Sequence, residues 1–170
     1  MTDTRTARTR THTWEPPAPD SEDFHRSGLE VLQRILDGRR PAPPIGSTLG
    51  FRLVEAAEGR AVFEGEPGEH LLNPMGSVHG GFLATLLDSA LGCAVLSTLP
   101  AGRLYTTAQL GVHLVRPVFA DTPPLRCEGT VLHTGRTTAT AEARVIGATD
   151  GKLYAHATTT CAVMDAPRNG

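Results

Sequence analysis

Asn73-Pro74-Met75-Gly76-Ser77-Val78-His79-Gly80-Gly81 runs straight into Phe82-Leu83-Ala84-Thr85-Leu86-Leu87-Asp88, a glycine-punctuated polar turn that opens onto an apolar helix carrying one carboxylate. Paired glycines weaken a helix interior but suit an entry where backbone must come close to something, so Gly80-Gly81 predicts a helix start with uncovered amides. Such an end binds anions or polarised carbonyl oxygens. Eight residues after Gly80, Asp88 interrupts an apolar surface, and a carboxylate there must be hydrated, paired or used in chemistry. The stretch therefore offers a candidate oxyanion donor and a candidate base.

From Gly80 to about Ser97, the residues Leu83, Leu86, Leu87, Ala90, Leu91, Ala94 and Val95 form a stripe too wide for a surface helix, so this helix is predicted to be nearly engulfed. Upstream, 51–55 and 60–64 flank Ala57-Glu58-Gly59 and read as a hairpin, followed by loop over 66–74. Downstream the periodicity changes to strand type over 105–115, 125–133, 137–146 and 153–164, with turns at 117–124, 134–136 and 149–151. Ala139, Ala141, Ala143 and Val145 alternate with Thr138, Thr140, Glu142 and Arg144, so one face packs and the small inward residues leave room for a helix. A hairpin, one buried helix and four long antiparallel strands predict an α+β fold in which a curved sheet wraps a central helix.

A chain of 170 residues with 39% hydrophobic content supports one core. The expected domain covers 47–165. Ahead of it, 24–46 reads as a short amphipathic helix over 28–36 and an extended linker through Pro41, Pro43 and Pro44; 42–46 is expected to cross near the mouth of the site. Residues 1–23 lack apolar periodicity and read as a disordered tail, and 166–170 as a short C-terminal tail. A net charge of -2 argues against a nucleic-acid partner. No 18-residue apolar run and no signal-peptide core is read, so no membrane partner and a soluble, cytoplasmic protein are expected. Cys93, Cys127 and Cys161 are far apart and read as buried free thiols. The histidines lack partners at metal-ligand spacing, so neither metal nor cofactor is expected.

Taken in order, the hairpin, Asn73-Pro74-x-Gly76-x-x-His79-Gly80-Gly81, Leu86-x-Asp88, and Thr107 ten residues before Pro117 resemble the hotdog-fold acyl-CoA thioesterases of the PaaI type, over roughly residues 44–164. The resemblance implies a hotdog fold, hydrolysis of acyl- or aryl-CoA thioesters without metal, and dimers or tetramers (dimers of dimers) with active sites between subunits. By position, Gly80 resembles the glycine whose amide polarises the thioester carbonyl. Asp88 resembles the carboxylate that activates water or attacks directly, and Thr107 stands where a Ser or Thr holds the attacking water. Asn73 and His79 match the polar pair beside the oxyanion hole, and Gly135-Arg136-Thr137 looks like the segment that meets the CoA phosphates.

One step stands without the family. Eight helical residues span ~12 Å of rise and about 80° of net rotation, so Gly80 and Asp88 of one helix cannot flank one carbonyl carbon. Two chains must contribute, related by a two-fold axis, and Gly81, Ala84, Thr85 and Gly92 are small enough to admit a second helix. Whether Asp88 acts as base or nucleophile stays open, the Thr107 hydroxyl favouring water. Phe51, Phe63, Phe82, Leu83 and Leu86 are equally candidates for an acyl pocket or for plain core. The absence of G-x-S-x-G argues against a serine hydrolase. A hotdog hydratase or dehydratase would need an Asp followed closely by His on the helix, and a non-catalytic acyl-CoA binding module would need neither Asp88 nor the oxyanion amide.

Overall fold

The computed structural model describes residues 6–15 and 25–167. Residues 1–5, 16–24 and 168–170, which carry parts of the expected tails 1–23 and 166–170, lie outside the described residues. Among the described residues three α-helices, α1 (Gly28–Leu36), α2 (Pro44–Leu49) and α3 (Gly80–Ser97), and a short 3-10 helix over Glu69–Leu71 accompany six strands. The strands are β1 (Phe51–Ala57), β2 (Arg60–Gly65), β3 (Arg103–Leu114), β4 (Leu125–Thr134), β5 (Thr138–Gly147) and β6 (Leu153–Asp165). They form one sheet in the order β1-β2-β4-β5-β6-β3, antiparallel at every pairing. The hairpin, the central helix and the four long strands each begin and end within two residues of their expected bounds.

The sheet curves around α3 in the hotdog arrangement. Leu86, Leu87, Ala90, Leu91, Ala94 and Val95 of the helix are fully buried, against Ala61, Leu125, Cys127, Ala139, Ala141, Val145, Ala155 and Cys161 on the concave face. Small side chains dominate β5 and β6 there, and Gly129 of β4 lets the helix backbone itself come down onto the sheet. A Cβ at Gly129 would lie 2.6 Å from the carbonyl carbon of Ala90 and 3.0 Å from the amide nitrogen of Leu91. Cys127 and Cys161 are buried free thiols, and Cys93 is a half-buried one.

Two expectations are corrected. The linker after α1 is not extended throughout, because 44–49 closes into the short helix α2. Pro44 stands at its first position, where a missing N–H is harmless, and Gly50 ends it at φ 81°, its N–H donating to the Gly46 carbonyl at 2.8 Å. The run of prolines concealed this helix. Also, α3 is by length and composition apolar enough to cross a membrane, against the reading that no 18-residue apolar run exists. Asp88 sits in that window as its one charged residue, and the sheet takes the place of lipid as the helix's apolar surroundings.

Ahead of the domain, α1 begins with a capping box. Ser27 Oγ accepts from the Glu30 amide at 3.3 Å and Glu30 Oε2 accepts from the Ser27 amide at 2.8 Å. Residues 6–15 form neither helix nor strand, and their Arg8 and Arg10 contact Glu69 and His70.

Because its neighbours are backbone atoms, Gly129→Ala is expected to destabilise the fold by about 1–3 kcal/mol, the usual cost of forcing extra volume into a packed core. Urea unfolding of both proteins checks this; an unchanged midpoint would mean that the helix does not rest on β4 as described.

Candidate active site

The turn before α3 is shaped by its own polar side chains. Asn73 Oδ1 accepts from the amides of Met75 at 2.9 Å and Ser77 at 3.3 Å, and Asn73 Nδ2 donates to Ser77 Oγ at 2.9 Å. Gly76 takes the left-handed conformation, φ 80°, that closes the turn. The turn is then tied to its surroundings by Val78 N–H to Val118 O and His79 N–H to Leu71 O, both 2.8 Å. Asn73 is thus an organiser of this loop, with one Nδ2 hydrogen left uncommitted.

At the helix start the amides are accounted for one at a time. His79 is the N-cap, and its Nδ1 accepts from the Gly81 amide at 2.9 Å, which places the neutral ring's proton on Nε2. The His79 carbonyl takes the Phe82 amide at 3.0 Å. Among the described residues the Gly80 amide has no acceptor, so it is the free donor at the positive end of the helix. A Cβ at Gly80 would sit 2.6 Å from Leu114 Cδ1, the tip of an exposed side chain that can turn aside.

Asp88 lies two helical turns further on, half-buried, and its Oδ1 accepts from Thr107 Oγ1 at 2.9 Å. Thr107 faces the helix by the strand's period-two alternation, and the register of β3 against β6 slips just after it, between Thr107 and Gln109. Cys161, buried on β6, stands beside Thr107 and within 3.9 Å of Thr159 Oγ1.

Beyond Asp88 the chain encloses a mostly apolar cavity of about 230 Å³. Its walls come from Leu32 and Ile35 of α1, Ala42, Pro43, Ile45 and Gly46 of the following segment, Phe51, Arg52 and Leu53 of β1, Phe63 of β2, Ser89 and Cys93 of α3, and Tyr105 of β3. Four residues of segment 42–46, Ala42, Pro43, Ile45 and Gly46, line this cavity. Of the five apolar candidates, Phe51 and Phe63 line it, their rings edge-on at 6.0 Å. Phe82, Leu83 and Leu86 belong to the core under the sheet instead.

Gly92 also departs from its expected place on an open helix face. It is buried beneath Tyr105 of the same chain, whose ring carbons Cε2 and Cζ would lie 2.9 Å from an added Cβ. Gly81, Ala84 and Thr85 stay uncovered or half-covered.

Two site elements are therefore brought together directly, Asp88 with Thr107, and a second group, Asn73, His79 and Gly80, forms around the helix start. The two groups stay ~12 Å apart along α3. Gly135-Arg136-Thr137 lies elsewhere, in the β4–β5 turn. That turn meets the C-terminal end of α3 through Thr98 Oγ1 and Thr134 Oγ1 at 3.0 Å, and the Arg136 carbonyl accepts from Arg103. The α1 wall and Tyr105 were not found in the sequence. An inward-facing strand residue carries no mark of whether it meets core or cavity.

The thioesterase superfamily profile matches residues 75–154 of this chain. A phenylacetic acid degradation-related protein from Ralstonia eutropha JMP134 is similar in structure, with 31% identity, a TM-score of 0.68, and 77% of this chain and 98% of that one covered. A thioesterase family protein from Silicibacter pomeroyi superposes with a TM-score of 0.68 at 25% identity, over 79% of this chain and 99% of its own. A Halobacterium salinarum protein provisionally named an esterase is 35% identical over 61% of this chain and 70% of that protein.

The cavity thiol is held inert. Burial first, and then the nearby Asp88 charge, push the Cys93 thiol up to about 12. At pH 8 its thiolate fraction is then on the order of 10⁻⁴, too small for a nucleophile. Iodoacetamide at pH 8, with the modified site read by mass spectrometry, is expected to label Cys93 at least ~10²-fold more slowly in the native protein than in urea; equal rates would overturn this.

Proposed function

This chain belongs to the thioesterase superfamily, and on that footing we propose that it hydrolyses acyl- or aryl-CoA thioesters to the free acid and CoA, with Asp88 assisting water. The observation that carries the reading is the Thr107–Asp88 hydrogen bond at the end of a mostly apolar, partly open cavity. Thr107 spends its hydrogen on Asp88 Oδ1, which leaves its lone pairs to accept from a water and Asp88 Oδ2 to take that water's proton. A non-catalytic binding module would keep the cavity but has no use for a carboxylate oriented in this way.

In this reading the thioester carbonyl oxygen accepts from the Gly80 amide while the acyl group enters the cavity. Water adds to the carbonyl carbon as its proton moves to Asp88, and the negative charge that develops on the oxygen faces the helix terminus. The C–S bond then breaks, and the leaving sulfur recovers the proton from Asp88. General base action of this kind contributes ~10²–10⁴-fold and one oxyanion donor ~10²–10³-fold. Neither the thiol of Cys93 nor a metal is needed, since the thioester is an activated electrophile with a good leaving group. Asn73 and His79 act by fixing the loop and cap that expose the Gly80 amide. Gly135-Arg136-Thr137 is the proposed contact for the CoA phosphates, at the far end of the helix where the long phosphopantetheine arm would bring them.

The ~12 Å between Gly80 and Asp88 makes the site a product of two chains, with Asp88 of one protomer beside Gly80 of its partner. Three features support a homodimer. Strand β3, 12 residues long, is an edge of the sheet with no neighbour on its outer side among the described residues, the kind of edge that soluble proteins cover. Gly81, Ala84 and Thr85 leave a shallow helix face beside Asp88. Met75, Leu114, Val115 and Phe119, near the start of α3, are large apolar residues at 88%, 55%, 53% and 49% exposure.

Thiol release from a panel of benzoyl, phenylacetyl and C4 to C16 CoA thioesters tests the reading. Asp88→Asn is expected to lose at least ~10²-fold in kcat at matched folding. Gly80→Pro, which deletes the amide hydrogen at a position where proline is tolerated, is expected to lose ~10²–10³-fold relative to Gly80→Ala, which keeps it. Mixing the Asp88→Asn and Gly80→Pro chains is expected to restore activity, because one of the two sites in each mixed dimer is then intact. No thiol release from any thioester would sink the function, and no rescue on mixing would sink the shared site.

A further inference from the structure

Thr159 of β6 places a hydroxyl on a strand face whose other members are Ala155, Ala157, Cys161 and Val163. Only 2% of its surface is exposed, and its Oγ1 donates to the Gln109 carbonyl of β3 at 2.7 Å. Valine would fill the same place without taking an oxygen out of water. The hydroxyl therefore carries a desolvation cost, which the bond to Gln109 offsets.

Gln109 is where β3 changes step. Thr107 stands opposite Cys161, Gln109 opposite Thr160 and Leu110 opposite Thr159, so Ala108 and Gln109 together face the one residue Thr160. Strict alternation from Thr107 would turn Gln109, Gly111 and His113 inward and Leu110, Val112 and Leu114 outward. The extra residue reverses this. Leu110 and Val112 pack against the core, and Leu114 reaches over the start of α3, its Cδ1 2.6 Å from where a Cβ on Gly80 would sit. Thr107 and Leu114 thus share the inner face of β3 because of the bulge between them. With 110–114 in place, moving the extra residue to the other side of Thr107 would put Ala108 on the inner face and Thr107 on the outer. Strand β3 has a neighbour on one side alone among the described residues, so β6 is what can hold the bulge where it is.

We propose that Thr159 is a positioning residue for hydrolysis: its hydroxyl, by holding the Gln109 carbonyl, pins the bulge after Thr107 and so keeps the Thr107 hydroxyl on Asp88. This rests on the reading of Asp88 as the base and of Thr107 as the group that orients it and its water. Thr159 touches neither substrate nor reacting atoms and acts through the backbone of β3. Without its hydroxyl the Gln109 carbonyl loses its side-chain donor, the bulge is free to move, and Thr107 takes up orientations that leave Asp88 without its bond.

The test compares Thr159→Val, which keeps the shape and removes the hydroxyl, with Thr159→Ser, which keeps the hydroxyl; Thr159→Ala replaces the valine variant if that does not fold. On a thioester that the wild type hydrolyses, Thr159→Val is expected to lose roughly ten- to hundredfold in kcat with KM within about twofold, and Thr159→Ser to stay within about threefold of the wild type. In a Thr107→Val background the Thr159→Val change is expected to cost no more than about twofold, because no Thr107 hydroxyl is left to misplace. Losses that multiply in the double variant overturn the proposal, as does full activity in Thr159→Val or an equal loss in Thr159→Ser. Three-bond couplings to the Thr107 methyl carbon, measured by NMR, separate this from the hydrolysis itself. They are expected to report one χ1 rotamer in the wild type and Thr159→Ser, and averaging in Thr159→Val. If no thioester is turned over, that pattern still upholds the pinning of Thr107, and an unmoved Thr107 rotamer in Thr159→Val overturns it.

Discussion

An 18-residue helix with a single charged side chain must be taken out of water on nearly every side, and the rest of the fold answers that requirement. Six antiparallel strands supply the apolar surroundings, and they reach the helix because their inward positions are so often alanine or, at Gly129, nothing at all. A sheet lined with leucine would stand further off. The close seat fixes the helix in rotation as well as in depth, since Gly129 beneath Ala90 and Gly92 beneath Tyr105 each admit only one approach. A rigid axis of this kind is what a site with two separated halves needs.

Along that axis the polar groups are rationed. The helix start has three amides to dispose of, and His79 takes two of them, one with its ring and one with its carbonyl. What remains is a single donor at Gly80, in a loop that Asn73 holds from within. Asp88 receives one bond from Thr107, on the inward face of β3. Each half is thus left with one unspent capacity, a donor at the terminus and an acceptor on the carboxylate. Those are the two capacities that adding water to a carbonyl demands.

Much of this was legible in the chain. The stripe in α3 and the period-two alternation after Gly102 locate the central helix and four strands because burial imposes those periods directly on composition. Gly80 and Asp88 stood out because each breaks a local rule, paired glycine at a helix start and a carboxylate among leucines. What stayed hidden depends on contacts between distant segments. Helix α2 lay inside a proline run that reads as extended until Pro44 is seen as a first position and Gly50 as a stop. Phe82, Leu83 and Leu86 were as plausible for the pocket as Phe51 and Phe63, and only the three-dimensional path of α1 and 42–46 separates them. Tyr105 reads as an ordinary strand aromatic. That its ring covers Gly92 and walls the cavity cannot be seen from its neighbours in sequence.

The segment that walls the cavity differs in kind from the elements that hold the candidate catalytic groups. Asp88, Thr107 and Gly80 sit on or at the ends of regular elements held by the core, whereas Leu32, Ile35 and 42–46 come from α1 and the strand-free stretch ahead of β1. Changes in that stretch alter the size and lining of the cavity while leaving the bond from Thr107 to Asp88 in place. Tyr105 belongs to both groups, since it is fixed by β3 as firmly as Thr107 yet faces the same space as α1. The helix and β3 therefore fix the bond from Thr107 to Asp88, while the segment from α1 to β1, with Tyr105 opposite it, fixes the walls of the cavity.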